Sequence, residues 1–224
     1  MKNRRMTLWL AVVPLIISTG ADAFIEVSIT GGSHFQITSG DWWVNVHDTS
    51  SVDIYGGQMY VYLHQNSKAD IFGGTVYYHE TKGESRSNIS GGTIWTLWAI
   101  DRSRSNISGG NTGTVYAKNQ SRITISGGMV NKVSAADSSF VRFTGYDFEA
   151  SDGLSFVGEP TVGWQIALHG CGTLSGKWAD GTSWTTSIEN GRNMQVYTIV
   201  PEPTTLLILG FGGLGLLKPR NRYF

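Results

Sequence analysis

Glycine doublets begin at Gly56, Gly73, Gly91, Gly109 and Gly127, spaced first by 17 and then by 18 residues. A fixed period of this length commits a chain to stacking equivalent units, because one unit is too short to bury an apolar face of its own. The residues before each doublet repeat too: Val52-Asp-Ile-Tyr, Ala69-Asp-Ile-Phe, Ser87-Asn-Ile-Ser, Ser105-Asn-Ile-Ser and Ile123-Thr-Ile-Ser. A degenerate last copy reads Val141-Arg-Phe-Thr-Gly-Tyr.

The repeat can be read as geometry. Ile54, Ile71, Ile89, Ile107, Ile125 and Phe143 share one position, and Val52, Ala69, Ser87, Ser105, Ile123 and Val141 lie two residues earlier. Period two puts both on one face of a short strand, so Asp53, Asp70, Asn88, Asn106, Thr124 and Arg142 between them point outward. The doublet turns the chain, since glycine reaches positive φ cheaply. A second apolar position follows at Met59, Val76, Ile94 and Val130, and a third at Leu97, Val115 and Val133, with Ala99, Ala117 and Ala135 two residues on. Polar corners at Asp101, Asn119 and Asp137 close the unit. Stacked in register, each buried Ile contributes roughly 1.5–3 kcal/mol relative to exposure.

These features specify an all-β chain: a single-stranded parallel β-helix, a β-solenoid of about 18 residues per coil, over residues 24–145. Apolar positions do not recur every six residues, which favours a right-handed coil. The doublet at Gly31 stands 25 residues before the next, so Gly40-Asp41-Trp42-Trp43 reads as an insertion or an N-terminal cap. Residues 146–199 lose the period and are expected to form an irregular cap, because an open sheet edge needs covering.

Composition narrows the function. Glycine is 29 of 224 residues and charged residues are only 15%, against typical shares of about 7% and about 25%. Net charge is zero, so the chain as a whole lacks the electrostatic footprint of a nucleic-acid binder. Cys171 stands alone and is expected to be a buried small hydrophobe.

Both ends point to export. Lys2, Arg4 and Arg5 precede a short apolar run, and Ala21-Asp22-Ala23 forms an A-x-A cleavage pattern, so residues 1–23 read as a signal peptide. At the other end Val200-Pro201-Glu202-Pro203 precedes an apolar Leu/Gly-rich stretch, expected to be a short hydrophobic helix. Basic Lys218, Arg220 and Arg222 then follow. A basic stop keeps that tip cytoplasmic and leaves the body across the membrane. The segment 200–224 resembles the PEP-CTERM sorting signal of Gram-negative bacteria. That resemblance implies transient inner-membrane anchoring, processing by an exosortase-type protease, delivery to the cell surface or beyond, and an association with exopolysaccharide. Leu174-Ser-Gly-Lys-Trp178-Ala-Asp-Gly-Thr182 resembles a stretch that closes many exported repeat proteins of such bacteria, and implies a structural role.

Candidate chemistry is sparse. Asp53 and Asp70 are stacked carboxylates, but the column continues as Asn88, Asn106 and Thr124, which reads as a hydrogen-bonding ladder. His47 and His64 stack, yet the next equivalent is Lys82, so neither a metal nor a cofactor is expected. Glu159 and Asp180 are scattered acids beside aromatic residues. Two exterior series are better candidates for glycan binding. Tyr60, Tyr77 and Trp95 share one position in successive coils, with Trp42 and Trp43 extending the strip or plugging the end. Arg86, Arg104 and Arg122 repeat at another, above Lys68, and the two series are expected to share a face. The function expected is that of a non-enzymatic surface or extracellular-matrix protein, in adhesion or scaffolding, that contacts exopolysaccharide. The alternative is a carbohydrate-active enzyme, a lyase or hydrolase, built on a β-helix.

Overall fold

The computed structural model describes residues 24–199; the signal peptide and the segment 200–224, with its expected helix, lie outside the described residues. Each coil lays down two strands, and these form two columns. One column holds β1 (Ile25–Ile29), β3 (Asp41–Val46), β5 (Gln58–Leu63), β7 (Thr75–Thr81) and β9 (Thr93–Ala99). The other, here the repeat column, holds β2 (His34–Ile37), β4 (Ser51–Ile54), β6 (Lys68–Ile71) and β8 (Arg86–Ile89). Further along, β10 (Arg104–Ala117) and β11 (Arg122–Ala135) run through the glycine corner and serve both columns, and β12 (Phe140–Ser151) opens in the repeat column.

Pairing within these columns is parallel, coil on coil. Ile54, Ile71, Ile89, Ile107, Ile125 and Phe143 lie opposite one another in succession, each at most 1% exposed. The β-solenoid of about seven turns is the one the period specifies. Within each strand burial alternates, as the pleat requires.

The two glycines of a doublet are required for different reasons. A Cβ on Gly109 would fall on the carbonyl oxygen of Ser90 in the coil below, and Gly73, Gly91 and Gly127 meet the same obstacle. Gly110 instead adopts φ 78°, left-handed backbone open to glycine at little cost. The opposite corner uses the left-handed region too, but with side chains: Asp48, Gln65, Asp101, Asn119 and Asp137 have φ between 57° and 62°. Asn and Asp tolerate that region best because their short polar side chains bond locally. Here those bonds run between coils, from Asn119 Nδ2 to Asp101 Oδ1 (3.0 Å) and from the Asp48 amide to Gln65 Oε1 (2.7 Å).

Two expectations about coil length are corrected. Gly40-Asp41-Trp42-Trp43 is neither an insertion nor a cap. Thr38-Ser39-Gly40 is an ordinary glycine corner with Ser39 in place of the first glycine, and the Gln58 amide bonds to the Gly40 carbonyl at 2.9 Å. Gly31-Gly32 belongs to the polar corner: Gly31, at φ 68°, precedes Asp48 in the left-handed series, and its amide donates to Asp48 Oδ2. The 25-residue gap thus spans the wrong pair of corners. The second correction concerns the eighteenth residue. The ladder pairs Met59 with Val76 but Tyr60 with Tyr78, so Tyr77 is a bulge, the extra residue that lengthens the coil.

The solenoid ends in ordered strands rather than an irregular cap, parallel where they join the last coils and antiparallel beyond. In the repeat column β17 (Met194–Thr198) pairs with β12, and β14 (Gln165–His169) covers the outer edge of β17. In the other column β16 (Ser183–Asn190) pairs with β11, and β15 (Gly172–Lys177) bridges antiparallel from β16 to the closing half of β12. Short β13 (Ser155–Phe156) pairs with β14. Trp184 stacks on Trp178 at 4.4 Å and on Phe143 at 5.5 Å, sealing the end of the core, and Trp178 Nε1 donates to the Gly128 carbonyl. The structural role implied for the 174–182 stretch is therefore visible at Trp178. Asp180 holds its turn by accepting from the Thr182 amide at 2.9 Å. At the other end β1 and β2 have no partner on their outer edges among the described residues. Cys171, expected to be buried, is exposed instead, between Gly170 and Gly172 at a corner of the cap.

Candidate binding surfaces

The stacking lays out three exterior series, two side by side on the repeat column and one on the other column. On the repeat column the outward residues between the two buried positions are Asp53, Asp70, Asn88, Asn106 and Thr124. Asn88 Nδ2 donates to Asp70 Oδ1 at 2.7 Å, and Asn106 Nδ2 to Asn88 Oδ1 at 2.9 Å. Asp70 also meets Lys68 Nζ at 2.5 Å, and Asp53 lies 3.5 Å from His34. The stacked carboxylates thus have partners, and the column is a polar ladder.

Beside it runs the basic series. Lys68, Arg86, Arg104 and Arg122 are ladder partners in four successive coils, all exposed. Two grooves open between this series and the polar corner. One, of about 500 Å³, is lined by Lys68, Arg86, Arg102 and Arg104 with Glu84; the other, of about 580 Å³, by Arg122, Phe140 and Arg142. Arg102 and Arg142 do not belong to the repeated basic position: Arg102 follows Glu84 at the polar corner, and Arg142 ends the outward series that begins with Asp53 and Asp70, so only the stacking brings them to the grooves.

The aromatic series occupies the other strand column, so the expectation of a shared face is corrected: the glycine corner separates Arg86 on β8 from Trp95 on β9. Nor do Tyr60, Tyr77 and Trp95 share one backbone position. Tyr60 faces Trp43 and Tyr78 in the ladder, while Tyr77 and Trp95 are both bulge residues. Their rings nevertheless make one strip: Trp43 to Tyr60 at 4.9 Å, Tyr60 to Tyr77 at 5.6 Å and Tyr77 to Trp95 at 5.6 Å. Trp43 and Trp95 are 41% and 60% exposed, which leaves open faces at both ends. Trp42 points the other way and packs edge-on against Phe35 over the first coil. Tyr62 and Tyr78 flank the strip, and Tyr78 donates to Glu80; burial and that bond push its phenol up to about 12. Counting each coil back from its polar corner as well as forward from its doublet would have located the bulge.

His47 and His64 stack as expected, ring centroids 4.7 Å apart. Partial burial, with His47 beside it, pushes the His64 imidazole below its usual range. Among the described residues no group of three His, Cys, Asp or Glu is placed to share a metal ion, and no helix is long and apolar enough to cross a membrane. Glu159 and Asp180 stay on separate loops: Asp180 is bound into its turn, and that amide bond lowers its carboxyl below the usual range.

No curated protein and no solved structure matches the chain significantly. The match found is to the family model of the PEP-CTERM protein-sorting motif, over residues 200–220. This is the segment that begins at Val200-Pro201-Glu202-Pro203 and includes Lys218 and Arg220. The motif implies export, transient anchoring by the tail and processing by exosortase, a membrane protease. The chain is a β-solenoid that carries a PEP-CTERM sorting motif at its C-terminal end.

Proposed function

We propose that the processed chain is a non-catalytic component of the cell surface or extracellular matrix, a rod that contacts polysaccharide in adhesion or scaffolding. The observation that carries this reading is the continuous strip Trp43–Tyr60–Tyr77–Trp95 on a body with a sorting motif for export. Aromatic faces pair with apolar faces of other molecules, and the axial C–H groups of a sugar ring are such a face. A rigid stack presents the rings without an ordering cost at binding. The alternative, a lyase or hydrolase, needs a free acid or base; the best-placed carboxylates, Asp53 and Asp70, are engaged by His34, and by Lys68 and Asn88.

The test is co-sedimentation of the purified chain with insoluble polysaccharides, with Trp43, Tyr60, Tyr77 and Trp95 replaced by Ala in parallel, plus a reducing-end assay. Retention that falls at least tenfold in the variant, without release of reducing ends, is expected. Substrate turnover by the wild-type chain would overturn the non-catalytic reading, and retention indifferent to the four rings would overturn the strip as its contact.

A further inference from the structure

On the repeat column four cations lie directly opposite one another, Lys68, Arg86, Arg104 and Arg122. Like charges in such cross-strand positions repel and weaken the sheet. The neighbouring outward series relieves its two stacked acids with partners, His34 beside Asp53 and Lys68 and Asn88 beside Asp70, and continues in uncharged Asn106 and Thr124. In the basic series only Lys68 has a carboxylate partner; Arg86, Arg104 and Arg122 form no ion pair among the described residues. The whole chain has zero net charge, so this unrelieved positive charge is local. It also lines grooves. Glu84 is the only carboxylate among the residues of the first groove, and it lies 3.6 Å from Arg102. Arg104 of that groove and Arg122 of the second are ladder partners, so the grooves follow one another along the solenoid axis.

We infer that this pair of grooves holds a linear acidic polysaccharide of the uronate type, its chain along the solenoid axis and its carboxylates on the arginine ladder. The inference rests on the surface role proposed above and supplies its ligand. The ladder offers a guanidinium about every 4.8 Å, the rise of one coil, a step comparable with the length of one sugar ring. A guanidinium binds a carboxylate through two parallel N–H bonds, which a lysine cannot do. Single-stranded nucleic acid is the competing polyanion, and its sites combine basic grooves with aromatic platforms for the bases. Here the aromatic strip is on the other column, and the one ring in the second groove, Phe140, is covered by the Arg142 guanidinium at 5.4 Å.

The experiment titrates the full chain, kept in detergent, with polygalacturonate at low and moderate salt. The wild-type chain should bind, more weakly as salt rises. Arg86→Ser, Arg104→Ser and Arg122→Ser together should weaken binding at least tenfold, and the triple Lys variant should fall between, because charge remains and the two-bond geometry is lost. Should the triple Ser variant lose its β-sheet circular dichroism, Arg104→Ser alone carries the test. No binding by the wild type, or equal binding by the variants, overturns the site. Oligo-dT binding of equal strength with the same arginine dependence overturns the uronate assignment. Failure of the surface role would instead appear as retention in the cytoplasm, which this titration does not read.

Discussion

At the residue scale, the stack leaves no room for a Cβ at the first glycine of the doublets from Gly56 to Gly127. Gly109→Ala drives a methyl group into the Ser90 carbonyl of the adjacent coil. The expected loss is about 2 kcal/mol or more, the range of backbone-displacing substitutions. Gly163 is the opposite case, with positive φ but nothing within 4 Å of its would-be Cβ. Its Ala variant should therefore lose only the conformational cost of about 1–2 kcal/mol. Urea midpoints of the two variants check the order. A second residue-scale feature is His79, at the inward position that Val61 and Leu97 hold in the neighbouring coils. It is fully buried, with Nε2 2.7 Å from Ser87 Oγ. Burial pushes its imidazole down to about 4, opposed weakly by the Val61 backbone, so it is neutral in the folded protein. The unfolded chain takes up that proton near pH 6.5. Stability is thus complete above that pH and falls as pH drops toward 4, by about 3 kcal/mol from this residue. His79→Leu should flatten the decline between pH 6.5 and 4.5 in urea melts; parallel curves for the two proteins would contradict the assignment.

At the scale of elements, the strands of the solenoid were legible and the cap was not. Inward positions such as Ile89 and Ile107 announce themselves because each coil repeats the same period-two strand before the same corner. The bulge at Tyr77 was hidden because one added residue alters spacing without altering composition, and counting from the doublet alone assigns it to the wrong position. The first coil was hidden because Ser39 replaces a glycine. The pairings of β14 to β17 follow no period, since each contact, parallel or antiparallel, is made once, and only Trp178 gave a local signal. Of the candidate surfaces, the basic series was readable because it sits at one repeat position, and Trp43 extends the aromatic strip by one of the two readings open to it; Arg102 and Arg142 join the grooves only through stacking. The cap carries its own prediction. Trp184 seals the core against Trp178 and Phe143 and is 8% exposed. Trp184→Ala should cost about 3–5 kcal/mol. Hydrogen exchange should quicken in β11 and β12 before β4 and β6, because the freed edge lies at that end. Uniform loss of protection along the solenoid would contradict a local sealing role.

At the scale of the molecule, parallel stacking makes a rod whose exterior columns are as regular as its core. Any side chain repeated every coil becomes a linear array: amides that bond one another, aromatic rings that touch, arginines that lack partners. Such arrays suit extended ligands better than small ones. The C-terminal edge is covered by antiparallel strands, and the sorting motif begins at residue 200, directly after the last described strand, β17. Processing of the tail can therefore release the body without unravelling a coil. The most direct measurement is mass spectrometry of the protein recovered from surface, medium and cytoplasmic fractions of exosortase-positive and exosortase-negative cells. Exosortase-positive cells should hold the solenoid outside the cytoplasm, without the basic cluster Lys218–Arg222, and exosortase-negative cells should retain that cluster at the membrane. An intact chain in the cytoplasm, or identical termini in both strains, would contradict the account.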